Sequence, residues 1–183
     1  AAQSVTVTIK SESTAPTSAA TDRNNLCAAD GNIELSYTGG TLGTNATAEW
    51  YSDNTFSTNV GSGNNLSIAT PNVTTTYYVR FEGDCNTTAA QSVTVTIKSE
   101  STAPTSAATD RNNLCAADGN IELSYTGGTL GTNATAEWYS DNTFTTNVGS
   151  GNNLSIATPN ATTTYYVRFE GDCNTTAAQS VTV

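Results

Sequence analysis

The chain has no histidine and no methionine, and only six lysines and arginines against sixteen aspartates and glutamates, a net charge of −10 over 183 residues. Without an imidazole, a Ser–His or Cys–His nucleophile cannot be assembled, and a zinc site loses its usual nitrogen ligand. An acidic surface with sparse cations argues against nucleic acid and against an anionic membrane, since both need positive patches. No apolar run approaches the roughly 20 residues of a membrane span, and helical periodicity is absent. No signal peptide is visible, but the chain starts mid-pattern, so this says nothing about secretion.

What is present is repetition. Sliding the sequence by 88 residues lays Ala1 on Ala89 and Val95 on Val183, and of the 95 overlapping positions two differ, Ser57 against Thr145 and Val73 against Ala161. That period suits one small all-β domain with its own core. The phrase AAQSVTV opens the chain, returns at Ala89 and closes it at Val183. Taken as a domain's last strand, it divides the chain into residues 1–10, the last strand of a preceding repeat; a domain over 15–98; and a domain over 103–183 whose last strand is cut short. The chain is then expected to be a window on a longer array. Between domains, KSESTAPT has one proline and no glycine and reads as a short, stiff joint. Strands of about ten residues at roughly 3.3 Å each would give domains some 35–40 Å long, which stacked end to end make a rod.

Within a repeat, alternation with period two recurs. Ile33, Leu35 and Tyr37 share one face of NIELSY. Ala48 and Trp50 share one face of TAEWYS, with Glu49 and Tyr51 on the other. Leu66 and Ile68 point inward, as do Tyr77, Val79 and Phe81 of TTYYVRFE and Val93, Val95 and Ile97 of QSVTVTIK. APTSAAT is a weaker, proline-led strand suited to an edge. Asp30-Gly31, Gly39-Gly40, Gly43, the Gly61–Asn64 stretch, Pro71 and Gly83-Asp84 read as turns between strands. Short strands at this spacing predict an all-β, antiparallel sandwich.

The four cysteines are Cys27, Cys85, Cys115 and Cys173, two per repeat. Three pairings are formally possible. The requirement that each domain close itself selects Cys27–Cys85 and Cys115–Cys173, one disulfide per domain. A loop of that size contributes roughly 4 kcal/mol in the chain-entropy account. Disulfides imply an oxidising, extracellular compartment.

Trp50 on the third strand, and Tyr77 two residues before inward Val79, resemble the immunoglobulin-like fold. The core positions that carry the inter-sheet disulfide in antibody domains correspond to Leu35 and Val79, and the cysteines stand outside them. The longer pattern LC…G.IELS…TGG…AEWY…GSGNNLSI.TP..TTTYYVR.EG.C…SVTVTI resembles the Ig-like repeats of giant surface proteins in gliding bacteria that use type IX secretion. That resemblance covers the 88-residue unit twice and implies adhesins or long extracellular fibres.

Candidate chemistry is thin. The carboxylate pairs Glu49 with Asp53 and Glu82 with Asp84 read as solvated surface, and no catalytic residue or cofactor is expected. Asp30, Asp84, Asp118 and Asp172 are weak calcium candidates, although no DxDxDG-type loop is present. Four Asn-X-Ser/Thr sequons per repeat follow from the Asn and Thr content, and Lys98 sits badly for a buried Lys–Asn crosslink. As interface candidates the sequence offers apolar Val5, Val7 and Ile9 of the orphan strand, which invite strand addition, and the outward aromatics Tyr51, Phe56, Tyr78, Tyr139, Phe144 and Tyr166, which can anchor a protein or sugar contact. Expected partners are copies of the chain itself and surface glycans or proteins. The two readings are a structural, adhesive filament and a multivalent binding module, in which identical weak sites act by avidity.

Overall fold

The computed structural model describes residues 2–116 and 118–183. It divides into two compact units, Ala1–Ile97 and Lys98–Val183. In the first, seven strands form: β1 (Ser18–Thr21), β2 (Asn32–Thr38), β3 (Thr47–Tyr51), β4 (Asn59–Ser62), β5 (Leu66–Ala69), β6 (Thr75–Glu82) and β7 (Gln91–Val95). The second repeats them as β8 (Ser106–Thr109), β9 (Asn120–Thr126), β10 (Thr135–Tyr139), β11 (Asn147–Ser150), β12 (Leu154–Ala157), β13 (Thr164–Glu170) and β14 (Gln179–Thr182). Each unit has a three-stranded sheet, β1-β2-β5 or β8-β9-β12, and a four-stranded sheet, β4-β3-β6-β7 or β11-β10-β13-β14. The ladders are antiparallel.

The alternating side chains make the core. Ile33 and Leu35 of β2 meet Ala48 and Trp50 of β3, Tyr77, Val79 and Phe81 of β6 and Val95 of β7, with Tyr37, Leu66, Ile68, Val93 and Ile97 packed around them. Leu35 and Val79, where antibody domains place their disulfide, are wholly buried, so dispersion and burial join the two sheets there. The indole N–H of Trp50 donates to the carbonyl of Gly63 at 3.0 Å. The proline-led strand is β1, at the edge of its sheet as expected.

Two stretches depart from the sequence expectation. The glycine-rich punctuation around Gly61 is itself a strand, β4, paired with β3 across a register shift between Trp50 and Tyr51. Gly61 faces Trp50 at φ 143°, where a β-carbon would meet the Leu66 side chain at 2.8 Å. Glycine is needed there for close approach, and that disguises the strand. Beside it, the Asn64 side chain accepts from the Tyr37 N–H and donates to the Tyr37 carbonyl, standing in for a strand neighbour.

The second departure is the joint. Ser11 to Thr14 bind into the first unit: the Ser11 carbonyl accepts from Thr44 N–H, Thr14 bridges Thr41, and buried Ser13 exchanges both backbone hydrogen bonds with the Asn86 amide. Ser99 to Thr102 do the same in the second unit through Thr132, Thr129 and Asn174. Half of the sequence-read linker is therefore domain.

Residues 2–10 fall in no strand, with Val5, Val7 and Ile9 exposed by 89%, 76% and 84%. The same letters at 90–98 supply β7 and bury Val95 completely. Tertiary surroundings, not local propensity, decide the strand.

Candidate functional site

Each unit has two ends. At the leading end of the first unit, Ser11 to Thr14 meet the Gly43–Ala46 turn and the Gly83–Thr87 turn after β6. Asp84 N–H donates to Thr44 carbonyl there. At the trailing end, Leu26 bridges Ile97 in parallel, its N–H donating to Thr96 carbonyl, and Ile97 N–H donates to the Thr74 hydroxyl just before β6 begins. Cys85 follows β6 and lies at the leading end. Cys27 follows Leu26 and lies at the trailing end. The eight residues of β6 between them span about 26 Å at roughly 3.3 Å per residue.

This geometry overturns the pairing expected from sequence. A disulfide needs α-carbons within about 7 Å, so neither repeat can join its own two cysteines. Cys27 is disulfide-bonded and so is Cys173, each without the other cysteine of its own repeat, while Cys85 and Cys115 are free and exposed. The premise that each domain closes itself fails because the two cysteines mark opposite ends of one sandwich.

The calcium candidates are likewise split between ends and held by cations. Asp30 and Asp118 pair with Arg23 and Arg111 at 3.0 and 2.9 Å, and the same guanidinium groups donate to nearby carbonyls. Asp84 takes Lys10 at 2.7 Å and the Asn45 amide; Asp172 takes Lys98 at 2.8 Å and Asn133. The hydrogen bond from Lys10, then that from Asn45, holds the Asp84 carboxyl below the usual carboxylate value. Among the described residues no group of three or more Cys, Asp or Glu is placed to hold a metal ion.

The outward aromatics assemble into a cluster on the exposed face of the four-stranded sheet. Asp53, just after β3, accepts from the N–H groups of Thr55, Ser57 and Thr58 at 2.9, 3.1 and 2.7 Å, and from the Thr55 hydroxyl. These donors hold its carboxyl far below the ordinary value. The loop wound on that carboxylate turns Phe56 to φ 58° and lays its ring over Arg80, 3.9 Å from the guanidinium carbon. Phe56 also meets Tyr51 and Tyr78 edge-on. Glu82 closes the cluster, accepting from the Tyr51 hydroxyl at 2.6 Å and Arg80 Nε at 2.7 Å, and those bonds hold its carboxyl below the usual range against the opposing effect of burial. Tyr139, Phe144, Tyr166, Arg168 and Glu170 repeat the arrangement.

Tyr51 is only 7% exposed, as is Tyr139. They face outward, as read, but the Phe loop covers them, so they are not accessible contacts. Phe56 and Tyr78 remain half-buried. The sequence reading missed Arg80 as the cation at the centre and Asp53 as the organiser of the loop. The Asp-x-Thr spacing, which favours an Asx turn, was the available signal. The carboxylate pairs considered for catalysis are occupied: Glu49 by Thr47 and Asn59, and the other three by the partners just given. A hollow of about 150 Å³ lies beside Leu114, Pro159 and Val183; in the first unit the corresponding Leu26 is bridged to Ile97.

Two antiparallel sheets packed around a buried tryptophan, occurring twice, define an immunoglobulin-like sandwich in tandem. The chain belongs to the family described as Ig-like domain CHU_C associated, whose model matches residues 14–98 and 102–183. Domains of this class are typically non-enzymatic and serve as extracellular structural or binding modules. No curated protein matches the sequence. Among solved structures, the chain is similar to the human OSCAR ligand-binding domain, at 8% identity and TM-score 0.39 over 92% of this chain and 98% of that one. It is also similar to a two-domain fibronectin type III segment of chicken tenascin, at 8% identity and TM-score 0.37 over 92% and 98%. A third likeness is to chicken CNTN1 FN1–FN3 domains, at 8% identity and TM-score 0.40 over 92% of this chain and 64% of that one.

Proposed function

We propose that the chain is a repeating structural segment of a long extracellular adhesive filament or surface appendage, of the giant surface-protein type found in gliding, type IX-secreting bacteria. It supplies length, stiffness and self-assembly. The observation that carries this reading is near-identity: two differences in 95 superposed positions leave no room for two diverged recognition sites. Whatever one repeat does, the next does as well, which suits a polymer of domains. The exposed apolar stripe of Val5, Val7 and Ile9 supports it, because a strand with that pattern is completed by an edge of another copy. The half-buried Phe56 and Tyr78, with Phe144 and Tyr166, are the side contacts such an assembly would use.

Imaging the source cell's surface by electron cryomicroscopy, with an antibody to the repeat as label, tests this. Filaments labelled at intervals along their length are expected. Filaments thicker than one domain would place several chains side by side; fibres one domain thick would make a single-chain stalk. Label confined to reduced, soluble protein inside the cell overturns the reading.

A further inference from the structure

The two free cysteines are not alike. Cys115 is the repeat counterpart of Cys27, and Cys85 is the counterpart of Cys173. In each kind, one member is disulfide-bonded and the other is a free, exposed thiol. So both positions are competent to form a disulfide, in sequence surroundings that are the same in both repeats. Within a repeat the two kinds stand at opposite ends of β6 or β13, far beyond disulfide reach. A cysteine of either kind therefore finds a partner only outside its own domain.

We propose that Cys85 and Cys115 are the open halves of repeat-to-repeat disulfides: each is an attachment point for a further copy of this repeat, Cys85 for a trailing-end cysteine and Cys115 for a leading-end one. The array is then stapled at its joints, and the repeat is a bifunctional covalent unit with a distinct sulfur at each end. The proposal stands on the repeat geometry and does not need the appendage reading.

The chemistry is thiol–disulfide exchange with an external disulfide donor, a small-molecule disulfide or the disulfide form of an oxidoreductase. The Cys115 thiolate attacks one donor sulfur, the donor S–S bond breaks, and a donor thiolate leaves. The Cys85 thiolate of a second copy then attacks the Cys115 sulfur of the mixed disulfide and expels the second donor thiolate. One protein disulfide forms, the donor is reduced by two electrons, and the two protons from the cysteines finish on the donor thiols.

The chain is suited to a direct test. Cleavage after Lys and Arg leaves every cysteine on its own peptide: Cys27 in 24–80, Cys85 in 81–98, Cys115 in 112–168 and Cys173 in 169–183. The near-identical pair 24–80 and 112–168 differ in mass through Ser57/Thr145 and Val73/Ala161. The chain is incubated with oxidised glutathione, digested without reduction, and its linked peptides are identified by mass spectrometry. Disulfide-linked multimers are expected, with 81–98 joined to 112–168. Linkage of 24–80 to 81–98, or of 112–168 to 169–183, in the monomer isolated before digestion overturns the proposal. Two variants separate specific pairing from random oxidation. Cys85→Ser mixed with Cys115→Ser should give a covalent dimer and stop there, while each alone should remain monomeric. Dimers from either variant alone would mean like pairs with like, and would also overturn it.

Discussion

Leu35→Ala asks the most of the packing described above. Leu35 occupies the position that in antibody domains holds half of the inter-sheet disulfide, and here it is wholly buried between β2 and the four-stranded sheet. Cutting it to alanine removes three carbons from a site enclosed by Ile33, Trp50 and Val79. Such truncations cost about 3 kcal/mol, from lost transfer free energy plus the cavity left behind. For a domain of this size, 1 kcal/mol moves the melting temperature by roughly 4–8 °C, so the expected drop is about 12–24 °C. Unit 2 has its own core around Ile121, Leu123 and Trp138. Scanning calorimetry should therefore replace one heat-absorption peak with two, the upper one near the original temperature. Each unit has one tryptophan, so Trp138→Phe in the same chain leaves Trp50 as a fluorescence reporter of the lower transition. A drop of less than about 5 °C would refute the claim that Leu35 holds the sheets together. A single peak shifted as a whole would refute separate cores.

Other substitutions probe the turns and the outer face. Gly40 lies at φ +72° with any β-carbon 2.7 Å from both Phe81 and the Thr14 carbonyl, whereas Gly63, at φ +94°, has open space. Gly40→Ala should therefore cost well over 2 kcal/mol in denaturant melts and Gly63→Ala about 1 kcal/mol, the strain of a left-handed conformation alone. Arg80→Ala should lower the stability of unit 1 by about 1 kcal/mol through loss of stacking on Phe56 and the bond to Glu82, measured by urea unfolding. Asp53 and Asp141 are held below the ordinary carboxylate value of 3.8 in the folded chain. Their contribution is full above that value and is lost as pH falls below it. The urea midpoint should fall steeply below about pH 4, and the double variant Asp53→Asn, Asp141→Asn should flatten that limb while lowering stability at neutral pH.

The strands with clean alternation were legible. Ile33 and Leu35, Tyr77 to Phe81, and Val93 to Ile97 each announce an inward face by spacing alone, and the structure turns them to the core, with Val93 and Ile97 partly buried at its margin. β4 was hidden because the close pass of Gly61 beside Trp50 and Leu66 demands the residue type that otherwise signals a turn. The leading segment was hidden for another reason. Ser13 is fixed by Asn86, 73 positions away, through polar bonds that leave no apolar period. The cysteine geometry was only half legible: β6 was read as one extended strand before Cys85, but it is the bridge from Leu26 to Ile97 that puts Cys27 at the far end of that strand. Self-closure was assumed in place of that long-range contact. On the outer face, alternation gave Tyr51 its side of the sheet but not its cover, because covering it depends on a loop conformation set by one carboxylate.

The identity of AAQSVTV at 1–7, 89–95 and 177–183 has a consequence for how such a chain finds its fold. The open edge of β6 is a socket that any of the three segments fits equally, and β13 offers the same socket again. Side-chain recognition has nothing to choose between, so the choice falls to tether length. Only the eight-residue connection Gly83–Ala90 gives β7 its advantage over its twins, by keeping its local concentration highest. Correct assembly of an array written in one repeated phrase is therefore a contest of distances along the chain, won by the nearest copy.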